Sequence, residues 1–188
     1  RFPKDPRSST ESGGPARQGH QVARIRVPRA HRPPVQVGPT MSQANVVFVT
    51  GGASGIGRAV AERLTNEGSS VVVADSDVES GHETCESIAS AGGRVIFQEI
   101  DVRDRSSIRS AADNATSRLG GITGLVNCAG LVTMTSLADL TEEEWDLVID
   151  VNLKGTWLAT QEVARDIASA GGGSVVNIST VEAEVVVS

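Results

Sequence analysis

The residues of this chain best suited to chemistry form a glycine-rich run, Thr50-Gly51-Gly52-Ala53-Ser54-Gly55-Ile56-Gly57. The run follows residues 45–50, a short β-branched segment typical of a buried parallel strand, and precedes residues 58–66, whose apolar positions have helical spacing. Glycines at such a junction let the backbone turn sharply and approach a pyrophosphate, whose negative charge is met by the amides at the start of a helix. The pattern therefore predicts a dinucleotide-binding turn that depends on Gly51, Gly55 and Gly57.

A carboxylate stands at the end of the second predicted strand. Asp75 closes the apolar segment 70–75 and follows the last glycine of the turn by eighteen residues. A carboxylate at this place accepts hydrogen bonds from the adenosine ribose hydroxyls and repels a 2′-phosphate. Asp75 therefore favours NAD over NADP, while a solvated acid at a strand end, of which Asp77 is an example, is the alternative interpretation.

Apolar segments alternate with helical segments beyond the first glycine turn. A capping-box pattern, Thr141 followed by Glu144, predicts the start of one helix, whose apolar face would carry Trp145, Val148 and Ile149. Strands that are nearly all apolar and that alternate with helices indicate a parallel sheet covered on both faces, which right-handed crossovers turn into a Rossmann-type, doubly wound α/β fold. We expect the sheet to be incomplete at its C-terminal side. The predicted strands cover residues 45–50, 70–75, 94–100, 124–127 and 174–178, and the other helices cover 58–66, 78–91, 108–119 and 153–168.

Composition divides the chain after residue 40. The first forty residues hold all seven prolines and eight Lys and Arg against two acids, whereas residues 41–188 hold nine basic residues against twenty-one acids. Residues 1–40 contain no apolar run long enough for a signal peptide or a membrane span. We expect residues 1–40 to be a disordered, non-native extension and Met41 to open a partial NAD(P)-binding domain over 41–188. An Arg-rich transit peptide and a nucleic-acid-binding arm are the alternatives for the extension.

Several other classes of protein fit the sequence poorly. Cys85 and Cys128 have neither a Cys-x-x-Cys partner nor a nearby histidine cluster, so we predict no metal site and no disulfide, in keeping with a reducing cytoplasm. The glycines are not followed by Gly-Lys-Ser/Thr, which disfavours a P-loop phosphotransferase. Aromatic residues do not alternate with the basic ones, so a stacking surface for nucleic acid is not indicated. We expect neither a nucleic-acid nor a membrane partner.

These motifs together resemble those of the short-chain dehydrogenase/reductase family, from Met41 to about Thr180. The family pattern Thr-Gly-x-x-x-Gly-x-Gly coincides with the run that begins at Thr50, and Asp75 matches the family's NAD-selecting acid. The resemblance implies that Asp101 and Val102 meet the adenine ring. The residues that we expect to bind the cofactor are Gly51, Ser54, Gly55, Ile56, Gly57, Asp75, Asp101, Val102, Asn127, Ala129 and Gly130.

The fourth strand ends in a variant of a family motif. The family commonly has Asn-Asn-Ala-Gly beside the nicotinamide half of the cofactor, and this chain has Asn127-Cys128-Ala129-Gly130. The cysteine replaces the second amide side chain. The backbone approach at Ala129 and Gly130 is unchanged by that replacement.

The resemblance also implies catalytic residues. Residues 151–156 resemble the family segment that carries the catalytic asparagine, which implies that Asn152 helps to order a water in a proton relay. Residues 175–180 resemble the strand that leads to the catalytic serine; alignment on Ile178 puts Thr180 at that position, with Ser179 as the alternative. In the family a Tyr-x-x-x-Lys pair follows, whose tyrosine exchanges the proton of the substrate oxygen during hydride transfer. This chain contains no tyrosine and has eight residues after Thr180.

The resemblance implies an NAD-dependent oxidoreductase that interconverts a secondary alcohol and a ketone, and that forms a homo-oligomer as the full-length parent. We expect the 188-residue chain to be a fragment of that enzyme that binds NAD without turning over a small-molecule substrate. A non-catalytic NAD-binding or regulatory protein is the alternative hypothesis. The substrate itself is not indicated by any of these motifs.

Overall fold

The computed structural model describes residues 45–179, over which strands and helices alternate. The predictions for residues 1–40 and for Thr180 lie outside the described residues. In chain order, the elements are β1 (Val46–Thr50), α1 (Gly55–Asn66), β2 (Ser70–Asp75), α2 (Val78–Ser90), β3 (Arg94–Glu99), α3 (Arg105–Leu119), β4 (Gly124–Asn127), α4 (Glu142–Ile149), a π-helical turn (Asp150–Gly155), α5 (Thr156–Ser169) and β5 (Ser174–Asn177).

The strands form one parallel sheet with the order β3-β2-β1-β4-β5. The chain moves outward from β1 to β3 on one side and then crosses to β4 on the other side. The carboxyl ends of β1 and β4 therefore flank the point at which the strand order reverses, where sheets of this kind leave a crevice for ligands. The predicted Rossmann-type, doubly wound α/β fold is confirmed.

The two faces of the sheet carry separate apolar cores. On one face, Phe48 and Val72 pack with residues of α3 and α5, among them Ile108 and Val163. On the other face, Val49 and its neighbours pack with residues of α1 and α2. β1 is buried along its whole length because helices cover both of its faces, which explains why its sequence is a continuous apolar run.

Two helices begin three residues earlier than the sequence predicts. α3 begins at Arg105 because the side chain of Asp104 accepts a hydrogen bond from the amide of Ser106, at 2.9 Å, and so caps the helix before its first large apolar residue. α1 begins at Gly55, since the glycine turn runs directly into the first helical turn and the amide of Arg58 donates to the carbonyl of Ser54.

The helix capped by Thr141 starts as predicted. The hydroxyl of Thr141 accepts from the amide of Glu144, and the carboxylate of Glu144 accepts in return from the amide of Thr141, at 3.2 and 3.1 Å. The predicted apolar face is wrong for Trp145, because this residue is 55% exposed. α4, the π-helical turn and α5 follow one another without a break. No helix within residues 45–179 is long and apolar enough to cross a lipid bilayer.

Candidate functional site

A cavity of about 530 Å³ opens at the carboxyl ends of the strands, beside the glycine turn. It lies at the reversal point of the strand order, and its volume is within the usual range for ligand sites, roughly 300–1,000 Å³. Most of the residues that the sequence predicts for the cofactor line it together: Gly51, Ser54, Gly55, Ile56, Gly57, Asp75, Asp101, Val102, Ala129 and Gly130.

The glycine turn is shaped by contacts that exclude side chains. A methyl group at Gly57 would overlap the carbonyl oxygen of Gly51 and would lie 2.7 Å from its carbonyl carbon. A methyl group at Gly51, where φ is +64°, would lie 2.6 Å from the amide nitrogen of Ala129. Gly55 differs from both, since its φ is +51° but no atom would lie within 4 Å of an added methyl group. The turn thus brings β1, α1 and the segment after β4 into backbone contact and leaves open space in front of Gly55.

The start of α1 faces this cavity. The first amides of an α-helix have no partner within the helix and carry the positive end of its dipole. Ser54 is the N-cap residue, and its side chain forms no capping hydrogen bond. Gly55, Ile56 and Gly57, the first residues of α1, all line the cavity. This end of the cavity is therefore suited to an anion.

Asp75 is fixed at the end of β2. Its Oδ2 accepts a hydrogen bond from the amide of Ala53, at 3.0 Å, and its Oδ1 accepts from the amide of Asp77, at 3.1 Å. The carbonyl of Ala53 in turn accepts from the buried hydroxyl of Thr84 on α2, at 2.9 Å. The carboxylate is consequently held beside the glycine turn at the edge of the cavity.

Asp101 and Val102 follow β3 and line the far side of the cavity. The carboxylate of Asp101 binds the guanidinium of Arg103, with Nε 3.0 Å from both oxygens and Nη2 2.6 Å from Oδ2. The hydrogen bond from the Arg103 side chain lowers the pKa of Asp101 below its usual value. Arg103 also lines the cavity, although sequence reasoning did not single it out. The sequence feature that could have indicated Arg103 is its position two residues after Asp101, the acid that follows β3.

The segment after β4 forms the opposite wall. The amide of Cys128 donates to the carbonyl of Thr50, at 3.1 Å, and the amide of Ala129 donates to the Thr50 hydroxyl, at 3.3 Å. Cys128 lines the cavity, and burial raises the pKa of its thiol. Asn127 does not line the cavity. Its side chain is buried and donates to Thr160 and to Asn177, at 3.1 and 2.8 Å, so it joins β4 to α5 and β5.

Asn152 lies in the π-helical turn and holds the segment after β4. Its Oδ1 accepts from the amide of Leu131, at 2.9 Å, and its Nδ2 donates to the carbonyl of the same residue, at 2.8 Å. The hydroxyl of Thr156 donates to the backbone carbonyl of Asn152, at 2.8 Å. In the same turn, a methyl group at Gly155 would lie 2.8 Å from Cγ2 of Val102, so this glycine lets the helix pack closely on the cavity wall. π-helical turns occur frequently at functional sites.

Ser179, the alternative to Thr180 as the catalytic hydroxyl, does not line the cavity. Ser179 is exposed and follows β5, and Thr180 lies outside the described residues. Asn152 does not line the cavity either, although its partner Leu131 does. Within residues 45–179, no group of three or more His, Cys, Asp or Glu side chains is placed to hold a metal ion.

A second cavity, of about 420 Å³, lies at the opposite end of the sheet. Leu64, Thr123, Gly173 and Val176 are among the residues that line it, and none of the lining residues is charged. It contains neither the glycine turn nor a strand-end carboxylate. The features expected of a dinucleotide site are therefore found at the first cavity.

The fold and the first cavity define the class of the chain as a doubly wound α/β protein with a cavity where the strand order reverses. The sequence model described as short chain dehydrogenase matches residues 45–188. The chain belongs to the short-chain dehydrogenase/reductase family, as the sequence predicts.

Relatives of this family are similar over most of the chain. A short-chain reductase protein, NovJ, from Streptomyces niveus is 39% identical over 143 residues, which are 76% of this chain and 55% of the relative. A probable galactose dehydrogenase, GalD, from Rhizobium meliloti (strain 1021) is 39% identical over 136 residues, which are 72% of this chain and 53% of the relative. The chain thus spans about half the length of these relatives.

Solved structures show the same fold. A mutant short-chain dehydrogenase/reductase from Serratia marcescens superimposes with a TM-score of 0.71 at 31% identity, over 77% of this chain and 58% of that one. The actinorhodin polyketide ketoreductase, solved with NADPH, superimposes with a TM-score of 0.73 at 32% identity, over 77% of this chain and 56% of that one.

Proposed function

We propose that this chain is the cofactor-binding part of an NAD-dependent oxidoreductase that interconverts a secondary alcohol and a ketone. The observation that carries the proposal is the cavity at the carboxyl ends of the strands, where the glycine turn and Asp75 meet. Membership of the family supports oxidoreductase activity. A bound nicotinamide dinucleotide supplies the hydride acceptor or donor for such a reaction.

The residues of the cavity fit a dinucleotide. The turn at Gly51 and Gly57 leaves no room for side chains, so the backbone itself lines the cavity beside the start of α1. The helix start is suited to the pyrophosphate, and the carboxylate of Asp75, already fixed by Ala53, is suited to ribose hydroxyls. Backbone groups at Ala129 and Gly130 line the other side, where we propose that the nicotinamide half binds.

Asp75 is proposed to select NAD over NADP. A 2′-phosphate beside this carboxylate would bring two negative charges together, which costs about 1–2 kcal/mol at a solvent-exposed site and weakens binding about tenfold. One similar structure was solved with NADPH, so the fold by itself does not imply NAD.

Titration calorimetry with NADH and NADPH tests this proposal. We expect NADH to bind the chain at least about tenfold more tightly than NADPH, and we expect Asp75→Asn to reduce that ratio several-fold. Asp77→Asn is the matched control, because it removes the same charge two residues away, at the N-cap of α2 and outside the cavity. Equal affinities for the two cofactors in the unaltered chain would refute the preference, and no affinity for either would refute the proposed site.

The catalytic roles of Asn152 and of Thr180 or Ser179 are also proposals. Asn152 is proposed to act in a proton relay, which its double hydrogen bond with Leu131 would hold in place. A hydroxyl at Thr180, or alternatively at Ser179, is proposed to face the substrate oxygen. Because the sequence contains no tyrosine to exchange the substrate proton, we expect the 188-residue chain to bind NADH without turning over a ketone. Cytoplasmic location and homo-oligomerisation of the parent stay predictions.

A non-catalytic NAD-binding or regulatory protein, which would use the same cavity, is the second candidate. Sequencing the source gene beyond the codon for Ser188 separates the two. An open frame that encodes Tyr-x-x-x-Lys supports the enzyme, and a stop codon at that point supports the non-catalytic protein. Steady-state assays of the complete gene product with NAD and a panel of secondary alcohols then test the activity directly.

A further inference from the structure

Arg103 is a charged residue of the cavity to which the proposed function gives no role. It follows β3 and lines the same cavity as Asp101 and Val102. The Arg103 side chain is 46% exposed and the Asp101 side chain is 41% exposed, so both side chains can meet a ligand. The pair therefore forms part of the cavity surface rather than a buried ion pair.

The strand order places this pair at the base-binding end of the cavity, if the proposed function is correct. The pyrophosphate is assigned to the turn after β1 and the ribose to Asp75 after β2. Neighbouring strands lie about 4.8 Å apart, and β3 is the next strand outward. The group that continues beyond the ribose, which is the purine base, is thus directed to the residues that follow β3.

The Asp101 carboxylate accepts hydrogen bonds from its own turn. It accepts from the backbone amide of Arg103, at 2.8 Å, and both of its oxygens accept from the Arg103 side chain. The backbone amide of Asp101 is in turn fixed by the hydroxyl of Ser107 on α3, at 3.1 Å. The surface next to the base therefore presents a carboxylate beside a guanidinium, in a turn that is anchored to α3.

The two groups have opposite preferences for the 6-position of a purine. A carboxylate accepts a hydrogen bond from the 6-amino group of adenine and repels the oxygen of a 6-oxo purine. A guanidinium has five N–H donors, of which the Asp101 carboxylate takes only part, and the others can donate to a 6-oxo group. We propose that Arg103 sets the base specificity of the site. Because it pairs with the Asp101 carboxylate and supplies further hydrogen-bond donors, it allows dinucleotides with a 6-oxo purine to bind as well as those with adenine.

Fluorescence titrations with NADH and with reduced nicotinamide hypoxanthine dinucleotide test this inference. The two differ along one edge of the purine: position 6 carries an amino group in adenine and an oxygen in hypoxanthine, and N1 carries a proton only in hypoxanthine. The ratio of their dissociation constants therefore reports the contacts of this edge. We expect the two to bind the unaltered chain within about threefold of each other and Arg103→Gln to favour NADH about tenfold, the effect of one hydrogen bond to a charged group. Arg103→Lys keeps the positive charge but lacks the planar guanidinium, so its ratio should lie between those of the unaltered chain and Arg103→Gln. Asp101→Asn should shift the ratio in favour of the hypoxanthine dinucleotide.

Arg118→Gln is the matched control, because it removes an arginine of α3 that does not line the cavity. If the ratio of dissociation constants in Arg103→Gln stays within twofold of that in the unaltered chain, or if Arg118→Gln changes it equally, the inference is overturned while dinucleotide binding remains. If neither dinucleotide binds the unaltered chain, the proposed function is overturned and the inference with it. Thermal unfolding of each variant, monitored by circular dichroism, shows that the protein titrated is folded.

Discussion

Substituting Gly57 by alanine is the sharpest test of how the glycine turn is built. The three atoms nearest to the added methyl group are backbone atoms: it would overlap the Gly51 carbonyl oxygen and lie 2.7 Å from the carbonyl carbon of Gly51 and 3.1 Å from Cα of Gly52. Carbon atoms in ordinary contact are about 3.5–4.0 Å apart, so the backbone must move by at least about 0.8 Å. A backbone that joins β1 to α1 cannot make room in the way that a flexible side chain can.

The expected cost follows from these overlaps. Overpacking by a methyl group costs about 1–3 kcal/mol, and a clash with backbone alone belongs at the upper end of that range. For a domain of this size, about 3 kcal/mol lowers the melting temperature by about 6–12 °C. Gly55→Ala and Gly68→Ala give the contrast, because φ is positive at both, +51° and +90°, but no atom would lie within 4 Å of either methyl group. Each should cost about 1 kcal/mol, or about 2–4 °C.

Circular dichroism melts of the three variants, followed by NADH titrations, make the comparison. Gly57→Ala should lose both stability and NADH affinity, because the turn that forms the site is displaced. Gly55→Ala should lose affinity with little loss of stability, since its methyl group enters the cavity, and Gly68→Ala should keep its affinity because it lies elsewhere. A Gly57→Ala variant that melted within about 2 °C of Gly55→Ala would show that the turn accommodates the methyl group.

Three further predictions concern other parts of the structure. Burial raises the pKa of Cys85 to about 11 and also raises that of Cys128; iodoacetamide should therefore modify both slowly at pH 7 and faster at higher pH, and mass spectrometry should show that NADH protects only Cys128, which lines the cavity. Protection of Cys85 would contradict the position of the site. Asn152→Ala removes both side-chain hydrogen bonds to Leu131, so hydrogen exchange at the Leu131 amide should become at least about tenfold faster; an unchanged rate would show that other contacts hold the segment. Thr141→Ala removes the capping box of α4 and should cost about 1 kcal/mol, a fall of about 2–4 °C in melting temperature; Thr141→Ser is the control that keeps the cap, and equal melting of the two variants would argue against this prediction.

The sequence predicts the strands of this fold well because burial controls them. β2 and β4 have the predicted bounds, since the middle residues of strands covered on both faces are buried and apolar. Helix starts are less visible, because α3 begins where a short polar side chain caps it rather than where the first large apolar residue, Ile108, occurs. The exposure of Trp145 is equally hidden, since an aromatic residue at helical spacing usually indicates a core contact.

The candidate site likewise contains residues that the sequence predicts and residues that it does not. Spacing alone predicts the glycine turn and Asp75, because the turn directly follows β1 and Asp75 ends β2, the next strand along the chain. Asn127 is different: its residue type suggests a ligand contact, but its side chain is used to join β4 to α5 and β5. The ion pair of Arg103 with Asp101 and the close packing at Gly155 depend on the folded turn and on a contact between distant segments. The spacing of Asp101 and Arg103 allows the ion pair without predicting it, and no local pattern indicates the packing at Gly155.

Nuclear magnetic resonance of the ¹⁵N-labelled chain, titrated with NAD, tests the central claim that the cavity beside the glycine turn binds a dinucleotide. We predict chemical-shift changes at the amides of Gly55, Ile56 and Gly57 and at Asp75, with residues of the second cavity, such as Thr123, unchanged. Shifts confined to the second cavity, or none at saturating NAD, would contradict this claim.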